Sequence, residues 1–202
     1  MPARSRQLRV ADDHWLSPVR RLPSPNADMR PPGAEVELLV LHNISLPPGE
    51  FGSGLVEALF CNRLDCSADE RLADLEDLRV SAHLFISRRG RLTQFVPFDQ
   101  RAWHAGQSSW FDRPGCNDYS VGIELEGTDD RVYTRSQYGT LLKVVAALFN
   151  RYRRLHAGAI VGHLELAPGR KTDPGAAFGW DAFLYDCVQL TRHRNDMSPL
   201  ET

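Results

Sequence analysis

Residues 36–41 read VELLVL and are followed at once by His42. A short, nearly continuous apolar run that stops at a polar residue suits a buried strand whose end opens into a loop. The loop follows as NISLPPGEFGSG (43–54), punctuated by Pro47, Pro48, Gly49, Gly52 and Gly54. Further along, HLFIS (83–87) and LTQFV (92–96) flank RRGR and predict a hairpin. VGIEL (121–125) predicts another strand, and AIVG (159–162) a further one that ends at His163. The clearest helix starts at Thr134, where Thr-Arg-Ser-Gln supplies a capping box with Gln137 reaching back. Its apolar positions, Tyr138, Leu141, Leu142, Val145, Leu148, Phe149 and Tyr152, follow helical spacing and predict a face packed on a sheet. A last amphipathic segment spans about Trp180 to Leu190. Strands alternating with helices make this an α/β chain.

The 202 residues suit one domain, expected over 20–190 between an irregular lead-in (1–19) and a polar tail (191–202). A chain of this size buries enough surface to fold without a metal or disulfide staple. With 24 Lys and Arg against 26 Asp and Glu and no long basic stripe, phosphate-driven nucleic-acid binding is disfavoured. The four cysteines form no CxxC and no dense framework, so they read as reduced thiols. No signal-peptide core and no apolar run near the length of a membrane span is visible. A cytoplasmic chain without membrane contact is expected, and no obligate protein partner is inferred.

Four histidines compete for a chemical role: His42, His83, His104 and His163. His42 and His163 stand out because each follows an apolar strand and precedes a polar or Pro-containing loop, which holds a ligand rigidly yet open to substrate. For either one alone, a hydrogen-bonded histidine with no ligand role is the stronger reading. Ten residues past His163, RKTDPG places Lys171 and Asp173 two apart in chain that Pro174 biases toward an extended form, so both face one side. Two imidazoles and a carboxylate are the ligand set of an open zinc site, with water in the fourth position. Lys171 beside it suits stabilisation of an oxyanion, although a solvated turn explains the same spacing. GIELEG offers Glu124 and Glu126 on one strand face as general acid/base candidates, and spacing does not choose between them.

Taken together, VLHNISLPPGEFG, LRVSAH, FVPFDQRAWHAG, CNDYSVGIELEGTD, GHLELAPGRKTDPG and GWDAF resemble, in order and from about Arg20 to Phe183, a known enzyme family. It is the zinc N-acetylmuramoyl-L-alanine amidases, specifically their cytoplasmic cell-wall-recycling branch, which cleaves 1,6-anhydro muropeptides. Phage lytic amidases and peptidoglycan recognition proteins belong to the same wider group. The resemblance implies a single domain with a central mixed, mostly antiparallel β-sheet flanked by α-helices. It implies Zn2+ on His42, His163 and Asp173, Glu124 as the catalytic glutamate and Lys171 as the catalytic lysine. It further implies a muropeptide substrate contacted by Asn43, Arg79 and Trp103, while His83 and His104 carry no ligand role and read as structural or rim residues. The chain departs from close relatives at Gly115, where they often carry Arg, and Arg113 two residues earlier is the local candidate for peptide contact. The implied activity is hydrolysis of the lactyl amide to L-Ala, with limited β-lactamase induction as its consequence. A muropeptide sensor that binds without cutting, and a lytic amidase acting on intact wall, are the competing functions.

Overall fold

The computed structural model describes residues 7–196, with the side chains of 193–196 left aside. Six strands form the central sheet: β1 (Arg20–Arg21), β2 (Leu38–Ile44), β3 (Leu84–Ile86), β4 (Leu92–Gln94), β5 (Ser120–Glu126) and β6 (Ile160–Gly162). Their spatial order is β6-β2-β5-β3-β4-β1. The sheet is mixed, as expected, but it is not mostly antiparallel. Only the β3/β4 hairpin is antiparallel, and the β6/β2, β2/β5, β5/β3 and β4/β1 pairs are parallel. Strands with parallel neighbours are covered on both faces and read as continuous apolar runs, which is what residues 38–41 show.

Alternation sorts the two faces. Leu39 and Leu41 of β2, with Val121, Ile123 and Leu125 of β5, form one face of the main core. The short α1 (Leu55–Phe60) follows the 43–54 loop, and against the main core lies α2 (Arg135–Arg151), whose Leu141, Val144, Val145, Leu148 and Phe149 are buried. The predicted capping box is present at Thr134 and Gln137. Gln137 is itself buried, and its Nε2 donates to the Ile86 and Glu126 carbonyls, tying the start of α2 to the ends of β3 and β5. The final helix, α4 (Trp180–Asp196), packs on α2. On the opposite face Leu38, Val40 and Val161 meet Ala105, Cys116, Tyr119 and Leu166. His83 and His104 cover Ser120 and Gly122, two of the even-numbered positions of β5 on this same face.

Two outer boundaries differ from expectation. Residues 9–10 and 16–17 pair as a small antiparallel ribbon. Leu16 is buried, and its N–H donates to Gln94 Oε1 at 2.6 Å, so the second half of the expected lead-in is stitched to β4. At the other end α4 continues past Leu190 to Asp196, because no residue of 191–196 breaks a helix. The rest of the expected tail, 197–202, lies outside the described residues, as do residues 1–6. All four cysteines are free thiols. Among the described residues no helix is long and apolar enough to cross a membrane.

Candidate active site

The site is built on the face of the sheet turned away from α2. Parallel register sets Glu124 of β5 directly beside His42 of β2, and Gly162 of β6 beside Leu41. His163 therefore arrives next to His42 as the first residue of the one-turn α3 (His163–Leu166). The Leu164 N–H donates to the Asp173 carbonyl at 3.1 Å, which folds the 167–173 loop back over α3. A side chain at Gly162 would press on Pro174 Cδ at 2.7 Å, so glycine there permits this approach.

Three ligand atoms converge as a result. His42 Nδ1 lies 3.1 Å from His163 Nδ1 and 2.9 Å from Asp173 Oδ2, and His163 Nδ1 lies 3.1 Å from the same oxygen. A tetrahedral zinc with bonds of about 2.0–2.1 Å holds its ligand atoms roughly 3.3 Å apart, close to this spacing. The outward nitrogens explain why the set suits a cation. His163 Nε2 donates to the Ala105 carbonyl at 3.1 Å, so its Nδ1 presents a lone pair inward. His42 Nε2 lies 3.0 Å from His104 Nδ1, and His104 Nε2 3.1 Å from Ser120 Oγ; with the His42 proton on Nε2, this chain leaves its Nδ1 lone pair facing inward as well. Two imidazole lone pairs and a carboxylate then face one point, a cluster that could hold a metal ion. Burial, with the Lys171 charge adding to it, drives His42 down to about 4 and keeps it neutral, although Asp173 opposes the shift. Burial raises the Asp173 carboxyl, but with no metal bound a proton on His163 Nδ1 or His42 Nδ1 donates to its Oδ2, which outweighs burial and holds the group well below the usual carboxylate range; a metal takes the place of that proton.

His104 is the residue that sequence reasoning undervalued. Its ring lies against Gly122, where an added Cβ would sit 2.4 Å from the ring. Glycine inside a strand is a signal of close approach, and that was the one clue available. His83 is buried one layer further in. It accepts the Gly122 N–H at 3.0 Å and donates to the Gln100 carbonyl, with Arg30 Nη2 at 3.2 Å. His83 is fully buried and bound to backbone, whereas His104 is half-buried and braces His42. Gly122→Ala is expected to cost about 1–3 kcal/mol in urea denaturation through overpacking against His104. Gly139→Ala, in α2 with nothing within 4 Å, is expected to add about 0.5–1 kcal/mol instead.

Glu124 and Glu126 now separate. Glu126 is buried with both oxygens committed, one accepting the Gly52 N–H and the other the Arg88 N–H. Glu124 Oε2 is shielded and has no hydrogen-bond partner. Burial first, then the charge of Asp173, pushes the Glu124 carboxyl well above its ordinary value, with Lys171 pulling the other way. Lys171 lines a cavity of about 620 Å³ with Asn43, Asp129 and Asp173. Asn43 Nδ2 donates to Asp129 Oδ1 at 2.7 Å.

The other expected contact residues are not gathered here. Arg79 is exposed and its Nη1 donates to the Glu76 and Leu78 carbonyls. Trp103 is half-buried, its backbone paired with Ser81. Arg113 donates to Glu37 at 3.0 Å and stacks over Tyr119 at 3.7 Å. None of the three lines the cavity that holds Lys171.

A His-His-Asp cluster that could hold a metal ion, at the ends of parallel strands, with a half-buried carboxyl in register beside it whose Oε2 is shielded and unpartnered, is the equipment of a hydrolase. Residues 32–176 match the N-acetylmuramoyl-L-alanine amidase family, and the chain belongs to that family. The chain is 52% identical over 174 residues to the 1,6-anhydro-N-acetylmuramyl-L-alanine amidase AmpD of Citrobacter freundii, covering 86% of this chain and 92% of that one. A crystal structure of a selenomethionine AmpD derivative matches with a TM-score of 0.84 and 51% identity, over 87% of this chain and 97% of the other. The N-acetylmuramyl-L-alanine amidase AmiD of E. coli, solved with the substrate anhydro-N-acetylmuramic acid-L-Ala-D-γ-Glu-L-Lys, matches with a TM-score of 0.55 and 26% identity. That match covers 78% of this chain and 60% of AmiD.

Proposed function

We propose that this chain is a zinc-dependent amidase that hydrolyses the lactyl amide between 1,6-anhydro-N-acetylmuramic acid and L-Ala of the stem peptide. Its place is cytoplasmic peptidoglycan recycling, with limited β-lactamase induction as the downstream consequence. The observation that carries the reading is the unpaired Glu124 carboxyl in register with His42, beside the convergent His42, His163 and Asp173 ligand atoms. The similarity to AmpD over most of both chains supports the substrate.

His42, His163 and Asp173 would hold the zinc, which when bound supplies Lewis acidity and a water of pKa about 7. Glu124 takes a proton from the attacking water and delivers it to the L-Ala nitrogen as the C–N bond breaks. Its raised pKa suits both halves of that exchange, because it makes the carboxylate a stronger base toward the water than an ordinary one and a ready donor to the departing nitrogen. Lys171 holds an ammonium beside the same cavity and stabilises the charge that grows on the carbonyl oxygen. Asn43, fixed by Asp129, positions the substrate.

Mass spectrometry of the protein incubated with anhydro-muropeptide tests this, with and without prior zinc removal and with intact peptidoglycan in parallel. Release of free stem peptide from the anhydro sugar, abolished by chelation and restored by zinc, is expected. Release from intact wall alone would make it a lytic amidase, and binding without cleavage would make it a sensor.

A further inference from the structure

Next to the reaction centre lies a second cleft of about 720 Å³ whose walls include Phe51, Arg88, Thr128, Asp130 and Arg131. Thr128 and Asp130 also line the cavity that holds Lys171 and Asp173, so the two spaces share a wall. Two guanidiniums flank one aromatic ring here: Arg88 Cζ is 5.1 Å and Arg131 Cζ 5.4 Å from the centre of Phe51. Arg88 Nη2 donates to the Val132 carbonyl at 2.7 Å, while its Nη1 is shielded and makes no hydrogen bond.

The nearby acids, Glu126 and Asp130, feel these charges but form no ion pair with them. Glu126 spends its two oxygens on the backbone N–H groups of Gly52 and Arg88, which fixes the Phe51 loop and the Arg88 strand end to each other. Asp130 accepts from Thr128 Oγ1 at 2.6 Å. Among the described residues no carboxylate lies within ion-pair distance of either guanidinium. Burial, and next the charge on Arg131, holds the Arg88 guanidinium below its ordinary value, a penalty that an arriving anion relieves.

We propose that Arg88 and Arg131, steadied by Phe51, form a subsite for a carboxylate of the stem peptide, namely the free α-carboxylate of its γ-linked D-Glu. A glutamate joined through its side chain keeps that α-carboxylate ionised, and it lies one residue beyond the L-Ala released by cleavage. A planar guanidinium pairs with a carboxylate through two parallel hydrogen bonds, which makes Arg the fitting residue type. The assignment rests on the muropeptide reading above. It also gives the peptide end an arginine contact that the locally tied Arg79 and Arg113 do not supply.

Calorimetric titration of the zinc-loaded protein with L-Ala-D-γ-Glu-L-Lys, and with the same tripeptide carrying an α-carboxamide on its second residue, tests the subsite without requiring turnover. Arg131→Gln, at an exposed position, is the primary variant, and Arg88→Gln the second. Each is expected to weaken the carboxylate peptide about tenfold or more and to leave the carboxamide peptide unchanged. In turnover, KM for the intact substrate rises while kcat holds. Equal losses with both peptides, no loss in Arg131→Gln, or no binding of the tripeptide to wild type would overturn the subsite. A wild type that binds the tripeptide but releases none from the anhydro sugar would sink the amidase reading, and the comparison of the two peptides would still decide the subsite.

Discussion

Glu124→Gln is expected to lower kcat by about 10² or more while the protein keeps its zinc, the usual worth of a positioned acid/base group. Gln preserves the size of the side chain and removes only its capacity to carry a proton. The same substitution is expected to make the metal-free protein more stable at neutral pH. Burial raises the Glu124 carboxyl above its ordinary value, so the folded chain retains a proton that the unfolded chain releases. Stability is therefore lost as pH rises from the ordinary carboxylate value through the raised one, and Gln removes that slope. Kinetics paired with urea denaturation at two pH values check both halves. Activity within tenfold of wild type would remove Glu124 from the mechanism, and an unchanged pH slope would remove the account of its burial. A residue whose deletion stabilises the fold and abolishes the activity is kept for chemistry.

For Asp173→Ala the expected result is loss of the metal, read as zinc per chain by elemental analysis after dialysis. Asp173 Oδ2 is the atom that both His42 Nδ1 and His163 Nδ1 approach, so its removal takes away the one anion of the set. Two neutral imidazoles alone leave an open and weak site, and binding is expected to fall by at least about 10²-fold, more than a supporting residue costs. Full zinc occupancy in the variant would place the third ligand elsewhere.

What the sequence made legible depended on the range over which each signal acts. The capping box at Thr134 and the apolar spacing of 138–152 are local, and the helix appeared where they placed it. His42 and His163 were legible as points where apolar strands run out, although His42 is still inside β2 and His163 opens α3. Strand direction was not local. The expectation of a mostly antiparallel sheet rests on family resemblance, whereas the uninterrupted run at 38–41 already carries the mark of parallel neighbours. Spacing left Glu124 and Glu126 open and the resemblance named Glu124; the groups that occupy Glu126, the Gly52 and Arg88 N–H donors, come from segments distant in sequence. His104 was hidden for the same reason: its importance comes from a glycine eighteen positions away and from His42 across the sheet. Arg79 and Arg113 had the right chemistry, but residues near them in space claim their side chains.

The parallel arrangement of β2 and β6 bears on the order in which the molecule comes together. His42 meets His163 across 121 residues and Asp173 across 131. Contacts at such separation form late, because a long loop must close before anything rewards the closure. The β3/β4 hairpin and α2 need no such wait. Until β6 emerges from synthesis, the apolar residues Leu38–Leu41 stand at an unpaired strand edge, the kind of template on which two unfinished chains join. The strand that delivers His163 is therefore also the one that closes that edge, and the His42–His163 pair forms in the same step that protects the chain from its own copies.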